Sequence, residues 1–169
     1  MKNRIVTLRK DVEAYKTEEI LIADGEEGFV LTLDGELLTL PSGCNRLPAG
    51  SRAFALCRMA ACEGVAGAGE APGLRGWFCF RCVLLCPRRF ALRYQSALLD
   101  GDAEAVLTSL AREALNEAMN IAQADGGSAR SEKLWTECRR ILERRLLDCG
   151  WQLTRFRPCR LIRGGEVSA

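Results

Sequence analysis

The sequence predicts an α+β fold in which a mixed, largely antiparallel sheet packs against two main helices. Three observations predict it. Asp34-Gly35 stands between two short apolar runs, a strong hairpin signal. A long apolar strand, Gly76-Trp77-Phe78-Cys79-Phe80-Arg81-Cys82-Val83-Leu84-Leu85-Cys86, stops at Pro87. Residues 102–124 and 131–149 then carry apolar side chains at helical spacing, and Gly150 separates them from a closing strand that begins Trp151-Gln152-Leu153.

Taken in order, Glu19-Ile20-Leu21-Ile22-Ala23-Asp24 is the first strand, ending at Asp24-Gly25. Gly28 to Leu33 leads through Asp34-Gly35 into Glu36 to Leu40, which predicts a type I′ turn with positive φ at both central residues. Pro41, Gly43, Pro48 and Gly50 break the ladder before a strand over Arg52 to Arg58, so the first part reads as an antiparallel meander. Residues 63–76, with Gly64, Gly67, Gly69, Pro72, Gly73 and Gly76, read as a glycine-rich connecting loop. Gly67-Ala68-Gly69 is not a phosphate cradle, because Pro72 occupies the third glycine position and a strand follows instead of a helix.

Pro87 suits a helix start, and Arg88 to Leu99 read as a short helix or turn-rich segment. Asp100-Gly101-Asp102 supplies acidic capping for a long helix to Ala124, with Val106, Leu107, Leu110, Ala114, Leu115, Ala118, Met119 and Ala122 on one stripe. Asp125-Gly126-Gly127 ends it, and Ser131 with Glu132 caps a second helix to Cys149. Its stripe is Leu134, Trp135, Cys138, Ile141, Leu142, Leu146 and Cys149, with Arg139, Arg140 and Arg144 outward. Trp151 to Ile162 return as a strand, irregular at Pro158, and the tail after Arg163 is expected to fray.

The 169 residues, 48% hydrophobic and 27% charged, predict one folded domain over 1–163 with a disordered tail at 164–169. Histidine is absent, which removes the commonest general base and the Ser-His and Cys-His nucleophile pairs. The amino-terminal segment has no apolar core of a leader, and no stretch approaches the roughly 20 uncharged residues of a membrane span, so a soluble, cytoplasmic protein is expected. Nine cysteines at irregular spacings fit a reducing compartment, where thiols act as small hydrophobes and disulfides are not expected.

The net charge is +2, but residues 11–36 are strongly acidic and residues 131–163 are rich in arginine. Such asymmetry suggests a nucleic-acid or membrane patch, pairing within the chain, or head-to-tail association of copies. The residues expected at a head-to-tail interface are Glu26 and Glu27 on the acidic side and Arg139, Arg140, Arg144 and Arg145 on the basic side. Heterologous contact of this kind builds a ring or a filament.

Three stretches resemble the SPFH, or Band 7, domain of stomatins, prohibitins and flotillins, in particular its soluble branch without a membrane anchor. Glu26-Glu27-Gly28-Phe29-Val30, with Asp34-Gly35 and the Gly43 to Gly50 loop, is similar to the opening strands. Trp77-Phe78-Cys79-Phe80-Arg81 with Cys86-Pro87-Arg88-Arg89-Phe90 resembles a strand ending in Asp-Pro-x-x-Phe, with Cys86 in place of the Asp. Leu146-Leu147-Asp148-Cys149-Gly150-Trp151-Gln152-Leu153 resembles the helix-glycine-strand close. The resemblance spans residues 18–163 and implies a non-enzymatic scaffold that forms homo-oligomers and in relatives sometimes regulates an AAA+ protease partner.

Two alternatives to a scaffold remain at this level. Cys79-x2-Cys82-x3-Cys86 has metal-like spacing, and Cys44, Cys57, Cys62 or Cys159 could complete a tetrahedral zinc site. Against it, Cys79 and Cys82 point to opposite faces of an extended strand, and structural thiols with no metal are the expectation. Arg139, Arg140, Arg144 and Arg145 with Arg155 and Arg157 could contact phosphates, but the acidic front opposes a polyanion, so no nucleic-acid partner is expected. No cofactor is expected, and no catalysis: a thiol nucleophile here would have only arginines beside it, and the carboxylate pairs read as turn and capping residues.

Overall fold

The computed structural model describes residues 4–69, 74–124 and 131–163. The expected helix stop at Asp125-Gly126-Gly127, the Pro72-Gly73 part of the glycine-rich stretch and the tail at 164–169 lie outside the described residues. The element order is β1 (Val6–Asp11), β2 (Glu18–Ile22), β3 (Glu26–Leu31), β4 (Leu37–Leu40), β5 (Gly43–Leu47), β6 (Arg52–Cys57), β7 (Ala61–Ala68), β8 (Leu74–Leu84), α1 (Pro87–Asp100), α2 (Ala103–Ala124), α3 (Ser131–Asp148) and β9 (Trp151–Arg163). The fold is α+β, with antiparallel sheets packed against helices. The strands divide into three sheets, ordered β1-β6-β3-β4, β2-β5 and β7-β8-β9. The chain forms two compact units, one of residues 1–61 and 84–104, the other of residues 62–83 and 105–169.

In the first unit β6 is the central strand, paired with β1 and β3, and Ala53 to Leu56 are fully buried on both faces. One face sets Val30, Ala53 and Ala55 against Ile20, Ile22 and Leu47 of β2 and β5. The alternate residues Phe29 and Phe54 stack at 5.3 Å, on the side of the sheet that meets α1. Gly28 permits the close approach of β2, since a Cβ there would lie 2.6 Å from Ile22 Cδ1. The guanidinium of Arg9 donates to the Asp100 carbonyl at 2.7 Å and so satisfies the end of α1, with Gly101 in the left-handed region at φ 88.

Several expectations are corrected here. The strands do not form a meander: β2 pairs with β5 and leaves β3 to β6, because Ile20 and Ile22 cover the apolar face of the larger sheet. The segment with Gly43 and Pro48 contributes β5, and Val6–Asp11, outside the strands expected from the sequence, forms β1. The Asp34-Gly35 turn is not type I′. Only Gly35 has positive φ, and Gly35 N donates to Thr32 O at 3.0 Å while Thr32 N donates to Glu36 O at 2.9 Å, a three-residue loop of the type I plus bulge kind. Asp100-Gly101 closes α1 as well as preceding α2, and α1 is a full 14-residue helix broken at Tyr94.

In the second unit residues 63–68 and 74–76 of the glycine-rich stretch are strand, not loop. Residues 61–68 form β7, antiparallel to β8: Gly64 lies under the ring of Phe80, Gly67 under the indole of Trp77 and Gly69 beside Arg75. Each glycine makes room for a large side chain on the neighbouring strand. Burial alternates along β8, with Gly76, Phe78, Phe80 and Cys82 inward and Trp77, Cys79 and Arg81 on the other face. The inner face is covered by both long helices. A Cβ at Gly76 would meet Met119 of α2 and Trp135 of α3, and Phe78 packs on Phe156 at 4.7 Å. Seven of the eight residues expected on the α2 stripe are buried and Val106 is half-buried; on α3 only Trp135 falls short of burial.

Candidate functional site: the open basic face of the three-stranded sheet

β7, β8 and β9 leave one face uncovered by α2 and α3, and it holds a depression of about 310 Å3. Glu63 and Val65 of β7, Cys79 and Arg81 of β8, and Arg155 and Arg157 of β9 line it. Arg81 Nε lies 3.5 Å from Glu63 Oε1 across the strand pair. Thr154 Oγ1 donates to the Arg81 carbonyl at 3.1 Å, tying β9 to β8. Among the described residues neither Arg155 nor Arg157 has a carboxylate within 4 Å. Val65 is 61% exposed, so the depression offers an apolar floor beside two unneutralised cations.

At its edge the sulfurs of Cys79 and Cys159 are 3.1 Å apart. The hydrogen bond with Cys159 and partial desolvation raise the Cys79 thiol above its ordinary value, against the opposing pull of Arg157 and Arg155. A thiol held protonated at neutral pH is a poor nucleophile, and no imidazole stands beside it. The other cysteines are placed differently. Cys82 is buried on the opposite face, where its hydrogen bond with Cys62 and then burial push its thiol up strongly. Cys86 lies beyond the strand as the N-cap of α1. The strand geometry thus separates Cys79 from Cys82, and among the described residues no three metal-capable side chains converge.

The arginines of α3 are brought to a different surface, and each faces a carboxylate. Arg139 Nε is 2.8 Å from Glu143, and Arg140 bonds Glu137 one turn before it. Arg144 is 3.6 Å from Glu117, and Arg145 lies 2.6 Å from Glu113 and 2.8 Å from Glu117 on α2. Arg145 with its carboxylates lines a second, shallower depression of about 610 Å3. On the acidic side, Glu26 Oε2 accepts from the Ala23 amide at 3.2 Å, and Glu27 lies 3.8 Å from Arg58. Glu63 and Val65 are not legible in the sequence, because the glycines of β7 give that strand the composition of a loop. The spacing that could have found them is the match of Gly64 and Gly67 with Phe80 and Trp77 in the antiparallel register of β7 and β8.

No protein-family model matches the chain, and none of the curated proteins matches it. Among the described residues no helix is long and apolar enough to cross a membrane.

Proposed function

We propose that this chain is a non-enzymatic assembly module, and that its basic sheet face receives an acidic segment of a second copy. The observation that carries the reading is that, among the described residues, Arg155 and Arg157 face this depression with no carboxylate within 4 Å, whereas the four arginines of α3 are matched within the chain. Complementary charge is available on the β3–β4 loop. Asp34 and Glu36 are exposed there, with no cation within 4 Å among the described residues, and Leu33 beside them is 76% exposed. Leu33 would cover Val65 while the two carboxylates meet Arg155 and Arg157. Patches of different kinds on the two partners make the contact heterologous, so copies add head to tail into a ring or filament.

This moves the basic side of the expected interface from α3 to β9 and the acidic side from Glu26 and Glu27 to the hairpin loop. The likeness to the SPFH domain supports a scaffold role, and the proposal that the chain is such a domain rests on the three stretches that carry the likeness. Docking to an AAA+ protease and a cytoplasmic location belong to the same proposal. Solution mass measured against concentration and salt tests the assembly. Higher-mass species at low salt should dissociate as salt rises, since exposed charges are screened over about 8 Å at physiological ionic strength. A wild-type chain that stays monomeric at low salt and high concentration overturns self-assembly.

A further inference from the structure

We propose that Cys79 and Cys159 form a reactive dithiol that reduces small anionic disulfides and closes into a bond between β8 and β9. The two residues lie on different strands of one sheet, half-buried and exposed respectively, with sulfurs 3.1 Å apart. Formation of a bond of about 2.0 Å needs only a small further approach. The remaining cysteines lack this combination. Cys62 and Cys82 also meet, but both are buried away from reagents, and Cys44 is exposed without a partner thiol within reach. Arg155 and Arg157 place positive charge beside Cys79, which attracts an anionic reagent such as oxidised glutathione and offsets part of the rise in the Cys79 thiol.

The chemistry is two thiol–disulfide exchanges. Cys159, the more accessible, loses its proton, and its sulfur attacks one sulfur of the reagent. The reagent's disulfide bond breaks, and the departing thiolate takes up that proton. The mixed disulfide on Cys159 is then attacked by the Cys79 thiolate, which forms the Cys79–Cys159 bond and expels the second reagent thiolate, protonated by the proton Cys79 gave up. Two protein thiols lose two electrons, and one small disulfide becomes two thiols. The second step is intramolecular, so its high effective concentration keeps the mixed disulfide from accumulating. Cys44 has no such second step and should retain the adduct.

The test is incubation of the reduced full chain with oxidised glutathione, acid quenching, alkylation and tryptic mapping. Cleavage after Arg81 places Cys79 and Cys82 on separate peptides, so the linkage is unambiguous. The expected result is a crosslink joining peptide 76–81 to the peptide that carries Cys159, with glutathione on Cys44. Cys79→Ser should convert the crosslink into a stable glutathione adduct on Cys159, and Cys44→Ser should leave the crosslink unchanged. Cystamine, a cationic disulfide, should react more slowly than oxidised glutathione with the wild type, and Arg155→Glu with Arg157→Glu should reverse that order. Glutathione on Cys44 with Cys79 and Cys159 both still alkylated overturns the proposal. So does a stable glutathione adduct on Cys159 of the wild type. The crosslink does not require assembly, and at high salt the face is open, so a monomeric chain that forms the crosslink separates this inference from the proposed function.

Discussion

α3 and β9 follow one another in the chain, and both carry exposed arginines, yet the two sets have different surroundings. On α3 the helical repeat sets Arg140 one turn after Glu137 and Arg139 one turn before Glu143, while Arg144 and Arg145 meet Glu117 and Glu113 of α2. On β9 Arg155 and Arg157 stand beside Val65 and Cys79, and among the described residues neither has a carboxylate within 4 Å. A count of basic residues along the sequence ranks α3 above β9. A map of where the charge is already neutralised reverses the ranking. Unneutralised charge beside apolar surface is what a partner can use, whereas a paired charge must first be taken from its own carboxylate.

The widest separation between the regions lies in stability. Leu142, fully buried, anchors α3, and Leu142→Ala should cost roughly 2–5 kcal/mol, read by denaturant unfolding. Gln152, exposed at the start of β9, should tolerate alanine within about 0.5 kcal/mol. An unfolding midpoint unmoved by Leu142→Ala would mean that the α3 stripe is not the anchor.

The next contrast concerns assembly. Arg155→Glu with Arg157→Glu should weaken self-association by roughly tenfold or more while unfolding stays near wild type. Mixing that variant with one carrying Asp34→Arg and Glu36→Arg should restore mixed species in sedimentation. If the variant assembles as the wild type does, β9 is not the basic side of the contact.

Arg145→Glu should behave in the opposite way. It places a carboxylate among Glu113 and Glu117, where the wild-type guanidinium bridges both, and its side chain is only 30% exposed. The expected loss is about 1 kcal/mol of stability with association unchanged once folding is corrected for. A stable variant that no longer associates would return the interface to α3.

Periodicity made the second unit's helices legible: the stripe from Leu107 to Ala122 and the stripe from Leu134 to Cys149 follow from spacing alone, because each helix has one face to bury. The glycine-rich stretch was illegible for the opposite reason. Gly64 and Gly67 have no strand propensity of their own, and their place in β7 comes from Phe80 and Trp77 on the neighbouring strand. The exchange of partners between β2 and β3 was equally hidden, since Ile20 and Ile22 would suit either pairing and only the packing of Val30 and Ala55 decides it. The candidate site suffered from both effects. Arg155 and Arg157 were visible as charges, but the absence of neutralising carboxylates is a property of three strands brought together, two of which are far from β9 in sequence.

The smallest effect in the comparison is a pH dependence. The hydrogen bond from Arg140 holds the Glu137 carboxyl below the usual glutamate range, and Arg140 is raised in turn by the same bond. A carboxyl whose folded value lies below its unfolded one stabilises the fold at neutral pH, and the contribution is lost as pH falls through the folded value. Arg140 is exposed and Glu137 half-buried, so solvent screens the pair and Glu137→Gln should lower the melting temperature by about a degree or less at pH 7. The difference from wild type should disappear at acid pH, where the wild-type carboxyl is itself protonated. Arg157→Gln, with no carboxylate to release, should show the same offset from wild type at both pH values. A Glu137→Gln offset that persists unchanged into acid would assign the effect to helix propensity, leaving the Arg140 pair without weight in the contrast between α3 and β9.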